Sequence, residues 1–463
     1  MDSIWVVDAV DKHCYHRFGM RSRRRPLGER IVENIRQFLR WFTPGLGVKR
    51  WFFVILMGTT AISIGLAFLL LDLYRNTTDD RFLTFISYIS LIFLPRPLRA
   101  LIFAGLGIGL VIIGILRLNR SILAPFIRPG RPVIDTLEHF RRIDRGPRVT
   151  VIGGGHGLAT LLRGMKKFTR NLAAIVTVAD DGGSSGRLRD SLGILPPGDI
   201  RNCLTALSSD EDLINQLFQY RYVGAGGELE GHSFGNLFIS ALSEITGSFE
   251  DAVAESGRVL SVYGRVLPST LHDVRLIADK SLPHVRREVR VKGESHISEV
   301  TGEVRRLWLE PNNPPAFPAA VQALLQADMI VIGPGSLFTS ILPNLLVPDI
   351  AAAIRTSKAL KIFVCNATTQ KGETDGYTCG DHISAIEDHI GPGFFDLIVS
   401  NGNSSGKLPE GVEWVEVNPE LEAIYAVYQS DLADEENPGR HDPEKLAQVV
   451  IDLFMERTGP LVV

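Results

Sequence analysis

Two short β-branched runs that each break into glycines constrain this chain more than any other feature. Residues 148–158 read RVTVIGGGHGL, and residues 175–189 read IVTVADDGGSSGRLR. In each, an apolar strand-like run ends in small residues and then opens a helical pattern. Two such units in tandem build a sheet that offers backbone N–H groups to anions at the carboxyl ends of its strands. The pattern implies a nucleotide-like ligand and names no reaction.

The same grammar recurs downstream. Residues 328–332 lead into GPGSLFTS, 361–365 into NATTQKGET, and 397–400 into Asn401-Gly402-Asn403. Helical patterns fill the intervals at 158–168, 210–222, 236–244, 248–260, 317–326 and 380–389. Alternation of this kind predicts an α/β fold, a Rossmann-like, doubly wound, mainly parallel sheet. Residues 274–309 alternate apolar and charged positions, the period of half-exposed antiparallel strands, and predict a small β-rich insertion. Residues 430–440 are acidic and polar and read as a linker, and 443–457 read as a last amphipathic helix.

At 463 residues the chain exceeds one ordinary core. A net charge of −3 argues against a nucleic-acid partner for the whole molecule. The average hides a basic N-terminus, where Arg17, Arg21, Arg23, Arg24, Arg25, Arg30, Arg36, Arg40, Lys49 and Arg50 face only Glu29 and Glu33 within 17–50. Two apolar runs follow, 51–71 and 101–116, with a shorter one at 82–94 that ends at Pro95-Arg96-Pro97. The lengths predict two transmembrane helices with an interfacial or re-entrant segment between them. Basic flanks, with Arg117, Arg120 and Arg128 after the second run, place both ends on the cytoplasmic side and the hairpin against anionic lipid. The expected protein is a multi-pass membrane protein with its large C-terminal domain in the cytoplasm. Its expected organisation is a basic segment (1–50), a transmembrane hairpin (51–118), a linker (119–147), the Rossmann-like domain with the nucleotide-like ligand site (148–429), and a linker with the C-terminal helix (430–463). Four cysteines without CxxC spacing predict neither a disulfide framework nor a zinc site.

The glycine loop Gly153, Gly154, Gly155, His156 and Gly157 fails the dinucleotide fingerprint, because a third glycine would fall at Leu158 or Thr160. It fails as a phosphate-binding P-loop too, since no Gly-Lys-Ser/Thr follows. What survives is an anion-accepting turn at a helix start. The second loop holds Asp180, Asp181, Gly182, Gly183, Ser184, Ser185, Gly186 and Arg187. Paired aspartates at a strand end accept from sugar hydroxyls, hold a divalent cation, or cap a helix. Arg187 offers a forked donor to phosphate. Asp199, Arg201 and Asn202 open a further helix, with Asp199 either its cap or a ligand contact. His232 and Asn236 lie in a polar loop that either binds substrate or satisfies backbone. Gly333, Gly335 and Ser336 again present N–H groups at a helix start. No Ser-His-Asp order, HExxH or Gly-x-Ser-x-Gly elbow is present.

Taken together, VIGGGHGLATLLRG, AIVTVADDGGSSGRLR, LPPGDIRNCL, GHSFGNL, GRVLPST, IVIGPGSLFTSILPNLL and TTQKGETDGYT resemble the YvcK/CofD-like family, and specifically its YvcK branch, the gluconeogenesis factors. The resemblance runs from Arg148 to about Asn401. It implies a pocket for UDP-sugars such as UDP-N-acetylglucosamine. It also implies a regulatory role in carbon metabolism, cell-wall synthesis and cell shape, with cell-wall synthesis proteins as partners and a homo-oligomer left open. The other branch transfers 2-phospho-L-lactate from a nucleotide-activated donor with a metal. By block match the three loops above and Tyr377 become nucleotide-sugar contacts, Tyr377 stacking on uracil and His232 and Asn236 reading the sugar. Asp180 and Asp181 fall where the transferase branch also carries paired aspartates, which makes them the Mg2+ or phosphate residues of that reading. His156 stands where the family usually has threonine. Nicotinamide-dependent oxidoreduction is weakened by the missing third glycine.

Overall fold

A computed structural model of the chain describes residues 93–123, 146–209, 211–224, 227–282 and 287–459, together with 143, 144 and isolated positions between 57 and 91. Two compact units divide the chain, Met1–Glu138 and His139–Val463. In the first unit, the expected span at 51–71 and most of 82–94 lie outside the described residues. The expected span at 101–116 lies on one continuous helix, Arg96–Leu123. Its apolar part, Pro97–Ile113, is shorter than the roughly 20 residues a bilayer core requires. Among the described residues no single helix is long and apolar enough to cross a membrane, so the two expected transmembrane helices are not found there.

Among its described residues the second unit carries ten strands. They are β1 (Val149–Gly153), β2 (Leu172–Val176), β3 (Arg265–Pro268), β4 (Arg275–Ser281), β5 (Glu288–Lys292), β6 (Glu303–Glu310), β7 (Met329–Ile332), β8 (Leu360–Val364), β9 (Leu397–Asn401) and β10 (Val427–Ser430). Seven form one sheet in the order β10-β9-β8-β7-β1-β2-β3. Every neighbouring pair in it is parallel. Buried on both faces, β1 and β2 are apolar at nearly every position because helices cover each side. The helix Gly155–Met165 returns along β1 and buries Leu158, Leu161, Leu162 and Met165. Each of those side chains contributes about 1.5–3 kcal/mol when removed from water.

Chain order reverses at β1. From it the sheet grows through β2 and β3 on one side, and through β7 to β10 on the other. Loops that leave β1 and β7 in a doubly wound sheet diverge at this switch point and leave a crevice outside the strand ends. Val149–Ile152 pairs in register with Met329–Ile332, so the glycine turns after the two strands open side by side.

The expected β-rich insertion is a separate three-stranded antiparallel sheet, β5-β4-β6. Its inner face carries Leu276, Ala278, Val291, Val304, Leu307 and Leu309, all buried. Two strands escape the sequence pattern. Both β3 and β10 are four-residue edge strands, too short to show a period. The expected linker at 430–440 is instead folded onto the domain. Leu432 and Ala433 are buried, Ala433 bridges His441, and the Leu432 N–H donates to Asn401 Oδ1 at 3.1 Å. Asp442 then caps the helix Pro443–Thr458. Two apolar residues in a segment of eleven are enough to anchor it, and composition alone hides them.

Candidate functional site

At the switch point lies a cleft of about 400 Å3. Gly154, Gly155, His156 and Gly157 line it, side by side with Pro334, Gly335, Ser336 and Ser340. The floor and far end add Asp199, Glu294, Asn366, Gln370, Arg440 and His441.

The two glycine turns are built for close approach. Gly155 adopts φ +61°, a conformation that L side chains rarely take. A Cβ on Gly154 would stand 2.5 Å from Asp199 Oδ2, and one on Gly157 would stand 2.5 Å from the Pro334 carbonyl oxygen. The helix Gly155–Met165 begins at Gly154 with no side-chain cap. Its first N–H groups are therefore left to other partners. At the other turn, Asn366 clamps the Gly335 peptide from both sides: Gly335 N–H donates to Asn366 Oδ1 at 3.0 Å, and Asn366 Nδ2 donates to the Gly335 carbonyl at 2.9 Å. Gln370 Nε2 donates to Ser336 Oγ at 2.7 Å.

Beneath these turns the charge is negative. Burial, then the neighbouring Asp180, raises the pKa of Asp199 to about 6, against the opposing pull of the Gly155 N–H and Arg201. Glu294 is held well above the usual carboxylate range by burial and by Asp180 and Asp199, and its side chain hydrogen-bonds Asp180. At the rim the sign reverses. Exposed Arg440 lines the cleft, and His156 is held below its ordinary pKa by desolvation and by Arg440, Arg163 and Arg201. Burial pushes the His441 imidazole down to about 4, so it is neutral at physiological pH.

The expected site residues divide into three groups. Gly154, Gly155, His156, Gly157, Asp199, Gly335 and Ser336 line the cleft. Gly153 and Gly333 end or follow β1 and β7 directly behind it.

A second group forms a buried polar cluster behind the Asp180 loop. Ser184 Oγ stands 2.9 Å from His232 Nδ1, and Asn236 Nδ2 donates to Ser184 Oγ at 3.1 Å and Ser185 Oγ at 3.4 Å. Arg201 donates to Ser233 Oγ at 2.5 Å and to Asn202 Oδ1 at 2.9 Å. A Cβ on Gly186 would overlap the Asp181 carbonyl, which accounts for that glycine. Gly182 caps the helix Gly183–Leu192, on whose first turns Arg187 is exposed. Residues 231–236 thus read as backbone and side-chain satisfaction for this loop.

Tyr377 belongs to neither group. Its ring meets Phe338 at 6.2 Å and His382 at 5.6 Å, outside the cleft lining.

The paired aspartates go to different partners. Asp180 Oδ1 accepts from Gly182 N–H at 2.8 Å, and Asp180 faces Asp199 and Glu294. Asp181 Oδ1 instead accepts from Ser295 N–H at 3.0 Å and Ser295 Oγ at 2.9 Å. Among the described residues no group of three His, Cys, Asp or Glu is arranged to hold a metal ion. The two carboxylates of the pair thus bond different partners.

Sequence reasoning missed Glu294, Gln370, Arg440 and His441. Glu294 comes from the antiparallel insertion, and Arg440 and His441 from the segment read as a linker. For Gln370 a signal existed, since it lies in the TTQKGET block.

Comparison with known proteins agrees with this fold. The family model described as 2-phospho-L-lactate transferase CofD matches residues 149–435. A relative from Nostoc sp. that carries the gluconeogenesis-factor name is 45% identical over 446 residues, covering 92% of this chain and 94% of that one. The gluconeogenesis factor of Bacillus subtilis is 43% identical over 319 residues, 67% of this chain and 99% of that one. A crystal structure of a UPF0052-family protein from Bacillus halodurans superposes with a TM-score of 0.62 at 42% identity, over 66% of this chain and 99% of that chain. The chain belongs to the CofD/YvcK family, many of whose members bear the name gluconeogenesis factor.

Proposed function

We propose that the switch-point cleft binds a nucleotide sugar of the UDP-N-acetylglucosamine type, and that the protein acts as a regulator linking carbon metabolism to cell-wall synthesis and cell shape. The observation that carries this reading is the pairing of two glycine turns side by side in one cleft, Gly154–Gly157 and Gly335–Ser336. Backbone N–H groups at two loop ends suit a diphosphate, and Arg440 at the rim adds a charge-assisted donor. The name borne by the relatives supports the link to carbon use. Calorimetric titration of the chain with UDP-N-acetylglucosamine and with GDP, each with and without Mg2+, tests it. Micromolar uridine-nucleotide binding without turnover is the expected result.

A second reading, transfer of a phosphorus-containing group of the CofD type, is favoured by the description of the matching family model. GDP preference that requires Mg2+ would select it and sink the first. Membrane attachment through the N-terminal segment rests on the hydropathy and basic flanks of 17–128 alone. A reporter fused after Val463 that is active only in its cytoplasmic form checks that topology.

A further inference from the structure

Lys280 is the anomaly in the insertion. It lies on β4 with its side chain fully buried, on the face otherwise occupied by Leu276 and Ala278. A register shift between Asp279 and Lys280 marks a bulge at this point. An apolar residue would fill the position without the cost of burying an ammonium group. Lys280 Nζ instead donates to three main-chain carbonyls: Ile297 at 2.8 Å, Gly372 at 2.8 Å, and Val300. Ile297 and Val300 belong to the end of the short helix Glu294–Glu299, whose first residue lines the cleft. Gly372 belongs to the loop that carries Gln370 into the cleft.

The neighbouring carboxyl of Glu373 completes the tie. Its Oε1 accepts from Ser298 Oγ at 2.9 Å and from Thr339 Oγ1 at 3.4 Å, and Thr339 precedes the cleft residue Ser340. The other end of the helix is held by Asp181 through Ser295. Helix, loop and Ser340 turn are thus bound into one wall whose acidic tip is Glu294.

Charge decides what that tip can meet. A diphosphate takes the N–H groups of the two glycine turns and is repelled by Asp180, Asp199 and Glu294. Carboxyl oxygens are left to face the neutral, donor-rich part of a ligand, its hydroxyl groups. We propose that Glu294 is the specificity residue for the hydroxyl-bearing end of the ligand, and that Lys280, through the Glu373 wall, is the positioning residue that holds it there. This rests on the reading that the cleft takes a nucleotide sugar.

The test is calorimetric titration of the full chain and its variants with UDP and with UDP-N-acetylglucosamine. Glu294→Gln should weaken the sugar nucleotide about tenfold, the loss of one hydrogen bond to the carboxyl group, and leave UDP within about twofold. Lys280→Met should show the same pattern, and the double variant should bind no more weakly than Glu294→Gln alone. Ser298→Ala, an exposed position that loses only its bond to Glu373, should shift the same ratio in the same direction and covers the case in which Lys280→Met does not fold.

Equal losses for UDP and UDP-N-acetylglucosamine, or losses that multiply in the double variant, overturn the proposal. A wild-type chain that binds neither nucleotide removes the nucleotide-sugar reading and the specificity role with it. Hydrogen exchange at 294–300 then still judges the clamp, with faster exchange in Lys280→Met expected and unchanged exchange counting against it.

Discussion

Asp199 couples the cleft to pH. Its pKa of about 6 lies above the ordinary 3.8, so the folded chain keeps a proton that the unfolded chain has released. Stability from that proton is fully present below pH 3.8 and is lost as pH rises through about 6. Ligand binding should follow the same sense, because an ionised Asp199 repels a diphosphate. Asp180, Glu294 and Arg201 face the same group, and His156 at the rim gains charge only at lower pH. Affinity for an anionic nucleotide should therefore fall between pH 5 and 7, and Asp199→Asn should flatten that fall. An unchanged profile in the Asn variant would assign the titration to another carboxyl.

The adjacent glycine makes a separate point about backbone. With Gly155 at φ +61° and its Cβ position open apart from Ser340 Oγ at 3.7 Å, Gly155→Ala meets strain rather than a clash. A loss of about 1–2 kcal/mol in denaturant unfolding is expected.

At the scale of elements, position in the sheet decided what could be read from sequence. Central strands β1, β2 and β7 are buried on both faces and announce themselves as unbroken apolar runs. Edge strand β10 lacks such a run because it is largely exposed, and β3 because Arg265 and Pro268 leave only two aliphatic residues between them. The glycine turns were legible because their conformation and close contacts exclude side chains. Glu294, by contrast, is one acid in a charged insertion, and only its three-dimensional approach to Asp180 and Asp199 at the cleft gives it a role.

The loop from β8 to the helix Cys379–Ile390 separates stability from binding. Thr378 Oγ1 accepts from Asp381 N–H while the Asp381 carboxylate accepts from Thr378 N–H, a reciprocal cap. Neither residue lines the cleft. Thr378→Ala should lower the unfolding free energy by about 1 kcal/mol with nucleotide affinity unchanged. A matching loss of affinity would mean that the cap also sets the Gln370 wall.

On the scale of the whole molecule, the C-terminal helix is part of the domain that carries the cleft. Gly164 lies where the helix Gly155–Met165 meets Pro443–Thr458, and a Cβ there would overlap the Pro443 carbonyl oxygen and crowd Ala447. Leu446, Ala447, Val450, Leu453 and Phe454 are buried by this packing. The same tail supplies the last residue of β10, the buried Leu432, and the cleft residues Arg440 and His441. A boundary at residue 429, where polar composition invites one, would strip cover from the helix whose first turn shapes the cleft. The fragment 148–429 should therefore unfold without a cooperative transition, whereas 139–463 should melt as one unit. Gly164→Leu in the longer fragment should reproduce part of that loss, about 1–3 kcal/mol from overpacking, although it removes no residue of the site. If 148–429 melts cooperatively and binds nucleotide like the longer fragment, the tail is a covering rather than a part of the core, and Arg440 contributes nothing to the cleft.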